Sequence, residues 1–105
     1  MNLSFKDGVS LDGIQQETIA GIHEVANVYE AWGLGLTVTS VTDGTHSQGS
    51  LHYLGLAFDC RIWDVQPHLM PAFINHIQEV LGPDWDVIWH PVDHKTHIHV
   101  EYDPR

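Results

Sequence analysis

"LAFDCRI", residues Leu56–Ile62, alternates in character along its length. Read as a strand, its side chains point to opposite faces in turn. Asp59 then shares one face with Ala57 and Arg61, while Phe58, Cys60 and Ile62 take the other. "HIHVEY" (His97–Tyr102) divides the same way: His97, His99 and Glu101 on one face, Ile98, Val100 and Tyr102 on the other. On a helix two histidines two positions apart would point about 200° apart. On a strand they form a pair. Each stretch therefore has an apolar face for a core and a polar face free for chemistry.

The rest of the chain supplies what covers the apolar faces. From Leu11 to Trp32, Ile14, Ile19, Ile22, Val25, Ala26, Tyr29 and Trp32 recur at helical spacing. Ser10 or Asp12 would cap that helix, and Gly33 would stop it. "LTVTSVT" (Leu36–Thr42) is β-branched and reads as a strand. "DGTHSQGS" follows as a loop. Gln66–Leu81 predicts a second helix that buries Leu69, Phe73, Ile77 and Val80 and ends at Gly82-Pro83. "WDVIW" (Trp85–Trp89) is another strand, joined to His97–Tyr102 by "HPVDHK". The order is helix, strand, strand, helix, strand, strand. It predicts a single α+β domain over residues 1–105, an antiparallel sheet with two helices packed on one face.

Charge narrows the function. Fourteen acidic residues stand against four basic ones, a net charge of -10. So few cations cannot neutralise a row of phosphates, which argues against nucleic acid, an anionic membrane or a metal-dependent nuclease. No run of 18 apolar residues is present, so no membrane span is expected. "MNLSFKDGVS" lacks the profile of a secretory signal, which predicts cytoplasmic synthesis of a monomeric domain. One cysteine excludes an internal disulfide.

Nine histidines are the unusual count. His23, His68 and His76 sit in or beside helices and read as surface or core-edge residues. His46 and His52 form one cluster, and His94, His97 and His99 another. Each cluster has a carboxylate nearby, a pattern that fits convergence on one metal. Neutral imidazoles with a carboxylate suit zinc, and three protein ligands leave a fourth position for water. Cys60 is the tempting wrong ligand, because alternation turns it away from Asp59.

"TSVTDGTHSQGSLHYLGLAFDCR" followed by "HIHVEYDP" resembles the zinc-dependent D-Ala-D-Ala carboxypeptidase family. That family includes phage and bacterial murein peptidases, and the amino-terminal signalling domain of hedgehog proteins shares its fold. The core motif is Ser-x-His-x-x-Gly-x-Ala-x-Asp with a distant His-x-His. Here it is Ser50, His52, Gly55, Ala57 and Asp59, then His97 and His99. The stretch looks most like small phage-encoded members. The resemblance implies zinc ligands His52, Asp59 and His99, with His97 beside the metal as an oxyanion stabiliser. It implies action on peptidoglycan stem peptides, by D-Ala-D-Ala carboxypeptidase or L-Ala-D-Glu endopeptidase chemistry, and a phage endolysin that acts on the cell wall. The acid that many members carry three positions before the last ligand is replaced here by Thr96. Asp93, at the hedgehog-type position, becomes the first candidate for general base, with His94 and His46 as further candidates. An arginine that many members use to hold substrate is also missing, and Arg61 is its candidate substitute. The alternative is a hedgehog-like module that keeps zinc for recognition and has lost turnover.

Overall fold

The computed structural model describes residues 2–44, 46, 49–92 and 96–104. Its frame is a five-stranded sheet in the order β1, β2, β3, β5, β4. The strands are β1 (Leu3–Phe5), β2 (Leu36–Ser40), β3 (Ala57–Arg61), β4 (Trp85–Ile88) and β5 (His97–Tyr102). Two helices, α1 (Gln16–Ala31) and α2 (Met70–Leu81), complete it. The α+β class is as the sequence predicts, and the Cα radius of gyration of 12.6 Å matches the roughly 13 Å of one domain of this length. No described helix is long and apolar enough to cross a membrane.

The sheet is mixed rather than purely antiparallel. β1, which has only three residues and carries no legible alternation, pairs parallel to β2 with Leu3 opposite Leu36. The reason is connectivity. The chain leaves β1, crosses over through α1 and returns as β2, and such a crossover gives parallel neighbours. The other pairings, β2 with β3, β3 with β5 and β5 with β4, are antiparallel.

Alternation sorts the central strands as expected. Phe58, Cys60, Ile98 and Val100 are fully buried in one apolar cluster with Ile22, Val25 and Tyr29 of α1 and with Phe73 and Ile77 of α2. The helices meet through aromatic edges, Tyr29 on Phe73 at 4.9 Å and Trp32 on Phe73 at 5.1 Å between ring centroids. His76, at the rim of this contact, accepts a hydrogen bond from the Trp32 indole at 3.0 Å. Gly21 lets the Trp85 ring lie against α1, where a Cβ would overlap it.

Some boundaries and burials depart from the sequence reading. α1 starts at Gln16, not Leu11, and neither Ser10 nor Asp12 caps it. Gln15 occupies the cap position without a side-chain bond, and its N–H instead donates to the Gly55 carbonyl at 3.0 Å. The other end behaves as read. Gly33 has φ +75°, its N–H bonds Glu30 O, and the Leu34 N–H bonds Tyr29 O, each at 2.9 Å. This pair of bonds satisfies carbonyls that the helix end would leave open. α2 begins at Met70, after a 3-10 turn over Pro67–Leu69. Met70, Phe73 and Ile77 form its buried face, whereas Leu69 is 38% and Val80 41% exposed. Leu69 falls in the 3-10 turn before α2, and Val80 lies in its last turn, next to the helix end.

Gly55 ties the sheet to α1. Its φ is +71°, and a Cβ there would collide with the Gly13 carbonyl. Its own carbonyl accepts from the Gln15 N–H and from the buried Thr18 hydroxyl at 2.7 Å. Gly33 shares the left-handed conformation but has open space around it. Gly55→Ala should therefore cost about 2 kcal/mol or more, and Gly33→Ala about 1 kcal/mol. Denaturant midpoints of the two variants measure the difference, and equal losses would mean that the Gly13 contact carries no weight.

Candidate metal centre

The β3–β5 ladder sets Asp59 directly opposite His99. Both side chains leave the sheet on the face away from the helices. His52 reaches them from a 3-10 turn, Leu51–Leu54, that enters β3 through Gly55. Ser50 starts that turn, its hydroxyl accepting the His52 N–H at 3.2 Å. His52 is only 2% exposed. Its Nε2 lies 3.2 Å from Asp59 Oδ1 and 3.1 Å from His99 Nδ1, and His99 Nδ1 lies 3.1 Å from Asp59 Oδ1. One nitrogen from each imidazole and one carboxylate oxygen thus close a triangle.

The outer nitrogens of both rings are already committed. His52 Nδ1–H donates to the Val41 carbonyl at 2.6 Å. A carbonyl can only accept, so this bond fixes the tautomer and leaves a lone pair on Nε2, facing the triangle. His99 Nε2–H donates to Glu101 Oε1 at 2.7 Å, which directs Nδ1 inward in the same way. Buffering of ligating imidazoles by a backbone carbonyl and a carboxylate is how proteins orient metal-binding histidines. Three electron-rich atoms converge on one point, and something positive must sit among them.

The spacing suits a small cation. A tetrahedral ion held at about 2.0–2.1 Å separates its ligands by roughly 3.3 Å, close to the triangle's edges. Two nitrogens and one oxygen fit zinc in type, and three protein donors are the open, catalytic number. The same three residues form the buried group able to hold a metal ion. Cys60 is not part of it. The thiol is fully buried on the core side, and burial together with the Asp59 charge pushes its pKa well up.

Without an ion, a proton does the same work. Burial resists charge on Asp59, but hydrogen-bonding contacts with His52 and His99 outweigh it and hold the carboxyl far below its usual range. Burial likewise opposes charge on His99, and its bonds to Asp59 and Glu101 prevail, raising its pKa. A protonated His99 can donate from Nδ1 into the triangle while Nε2 still donates to Glu101.

The remaining predicted residues are spread around this point. His97, two positions along β5, has Nε2 3.9 Å from Asp59 Oδ2. His46 stacks flat on the His52 ring, 3.9 Å between centroids. Its Nε2–H donates to the Asp43 carbonyl at 2.8 Å, and Tyr53 clasps its backbone, accepting the His46 N–H at 2.6 Å and donating to His46 O at 2.9 Å. Asp43 braces the same loop by accepting the Ser10 and Val41 N–H groups at 3.0 and 2.9 Å. Arg61 stacks on Trp63, 3.8 Å from guanidinium carbon to ring centroid, and lines an open groove with Asp59 and His97. Thr96, which replaces the expected acid, is exposed and lines the same groove. Asp93 and His94 lie outside the described residues. Glu101, which hydrogen-bonds His99, is the residue of this cluster that the sequence reading set on the right face without giving it a role. Its signal was the i, i+2 spacing from His99.

No protein-family model and no curated protein matches the chain.

The sign of the pH dependence follows from the two shifts. Asp59, with its pKa depressed, stabilises the fold above about pH 3.9 and loses that contribution as pH falls through its folded value. His99, with its pKa raised, stabilises fully below about pH 6.5 and loses the contribution as pH rises through its folded value. Chelated protein should therefore lose stability as pH rises above about 6.5 and through the raised folded value of His99. Zinc must displace the His99 proton, so its stabilisation should grow over the same interval. Thermal melts with EDTA and with one equivalent of zinc measure the gap, and a gap that is flat or narrows with pH would contradict exchange of a proton for the ion. Glu101→Gln should weaken zinc about ten- to a hundredfold, and His52→Ala should weaken it further, both by competition with a chromophoric chelator.

Proposed function

We propose that the chain is a zinc-dependent peptidase that cleaves stem peptides of bacterial peptidoglycan. The observation that carries this reading is the convergence of His52 Nε2, Asp59 Oδ1 and His99 Nδ1, their outer hydrogen bonds already satisfied, at the edge of an open groove. The motifs around Ser50–Asp59 and His97–His99, which resemble the zinc D-Ala-D-Ala carboxypeptidase family, support the substrate class. D-Ala-D-Ala carboxypeptidase and L-Ala-D-Glu endopeptidase chemistry are the two forms it takes. A phage endolysin acting on the cell wall is the biological setting we propose.

His52, Asp59 and His99 would hold the ion, which when bound supplies a Lewis acid for the scissile carbonyl and a water acidic enough to attack it. The chain's own groups do the rest. His97, beside the second oxygen of Asp59, donates to the oxyanion as the carbonyl becomes tetrahedral. A base from the stretch of sequence that precedes β5, Asp93 first and His94 next, would take a proton from the attacking water and deliver it to the leaving amine. His46 is the weaker candidate, since its Nε2–H is held by the Asp43 carbonyl. Arg61, braced by Trp63, binds the substrate.

One observation favours the alternative of a zinc-binding recognition module without turnover: an exposed threonine, Thr96, occupies the position of the family's usual acid. The two readings separate in one assay. Zinc-loaded chain is incubated with purified muropeptides, with and without chelator. The peptidase reading requires chelator-sensitive release of fragments. One bound zinc with no cleavage would establish the recognition module instead. Asp93→Asn should keep zinc and lose at least about a hundredfold in kcat, and unchanged turnover would transfer the base to His94.

A further inference from the structure

Lys6 follows the last residue of β1, and its N–H continues the parallel ladder by donating to the Val38 carbonyl at 2.9 Å. That register brings its side chain to the groove beside the metal centre. The groove has a volume of about 260 Å³, and Lys6, Arg61, Trp63, Thr96, His97 and Asp59 are among the residues that line it. The chain has only four lysines and arginines, Lys6, Arg61, Lys95 and Arg105, against 14 acidic residues. Two of the four share this one groove. Among the described residues neither makes an ion pair, although the chain has 14 acidic residues. Two unpaired like charges repel each other and attract an anion, most strongly where the surroundings are partly dry.

We propose that the groove is a carboxylate-binding subsite, anchored jointly by Lys6 and Arg61, that holds an acidic group of the substrate beside the metal centre. The Arg61 guanidinium carbon lies 3.8 Å from the centroid of the Trp63 ring, and Arg61 lines the groove. A guanidinium can present two N–H groups to the two oxygens of a carboxylate, with the Lys6 ammonium as a second point charge. A single negative charge suits the place better than phosphate, because Asp59 lines the same groove and the chain is strongly acidic. β2 shapes the floor. A bulge between Val38 and Ser40 shifts the β2–β3 register, so Thr39 and Ser40 both line the groove and add hydroxyl groups. Only the identity of the molecule bearing the carboxylate rests on the peptidase reading. A terminal carboxylate would mark an exopeptidase, and an acidic side chain would mark cleavage within a peptide.

The test is an NMR titration of the full chain, both chelated and loaded with zinc. Four probes are used: N-acetyl-D-alanyl-D-alanine, its C-terminal amide, N-acetyl-alanyl-glutamate amidated at its C-terminus, and inorganic phosphate. At least one of the two carboxylate probes should bind about tenfold more tightly than the amide in both metal states, shifting the Trp63 indole. Whichever binds better identifies the source of the carboxylate. Lys6→Met and Arg61→Lys should each reduce that affinity about tenfold while leaving zinc stoichiometry and the core resonances unchanged. Equal binding of acid and amide, tighter binding of phosphate, or a Lys6→Met chain that binds as well as the parent would each overturn the subsite. The readout needs no turnover. Carboxylate binding without muropeptide cleavage would remove the peptidase reading alone, and cleavage with equal binding of acid and amide would remove the subsite alone.

Discussion

The register between β3 and β5 is the constraint on which the rest depends. Asp59 faces His99, and Cys60 faces Ile98. Because strand side chains alternate, a slip of one residue would turn Asp59 into the core and Cys60 toward the groove. The apolar cluster prevents that slip. Phe58, Cys60, Ile98 and Val100 are each fully buried against the helices, and exposing them would cost about 1.5–3 kcal/mol for each large side chain. The site therefore inherits its geometry from hydrophobic burial on the opposite face. Its own polar groups do not have to choose the register. They only have to fit the one already chosen.

That division explains what could be read directly from the sequence. The alternation in "LAFDCRI" and "HIHVEY" is local, and it assigned Asp59 and His99 to one face and Cys60 to the other. The Gly33 stop of α1 is local too. His52 belongs to a different category. Its spacing and neighbours mark it only through a motif, because the 3-10 turn that carries it is positioned by Gly55 against Gly13 and by the Thr18 hydroxyl. β1 was illegible because three residues carry no period, and its parallel pairing is a consequence of the α1 crossover. Lys6 went unseen for the same reason. The misread burial of Leu69 and Val80 has a related cause: periodicity gives the face of a helix but not its ends, and these two residues lie before its start and in its last turn.

Glu101 shows how a polar site can be fully connected on a small scaffold. It holds His99 Nε2–H, while Val41 holds His52 Nδ1–H. Neither imidazole can rotate its ring by 180° without leaving a donor or acceptor unsatisfied in a mostly buried setting, which costs about 1–3 kcal/mol. The rings are thus preorganised before any cation arrives. Less of the binding free energy of an ion is then spent on ordering side chains, and more appears as affinity.

The triangle favours a positive charge at its centre, and this shapes how the two halves of the site cooperate. In the metal-free chain a proton on His99 offsets the Asp59 carboxylate. A divalent ion in its place leaves the triangle more positive by about one unit. The adjoining groove already carries Lys6 and Arg61, neither of which makes an ion pair among the described residues. Adding positive charge next to these two cations makes the groove more receptive to an anion, and an anion in the groove stabilises the added charge in turn. Linkage makes the two effects equal in free energy. A carboxylate should therefore bind more tightly to the zinc-loaded chain than to the chelated one, by the same factor with which it tightens zinc, even if it never touches the ion.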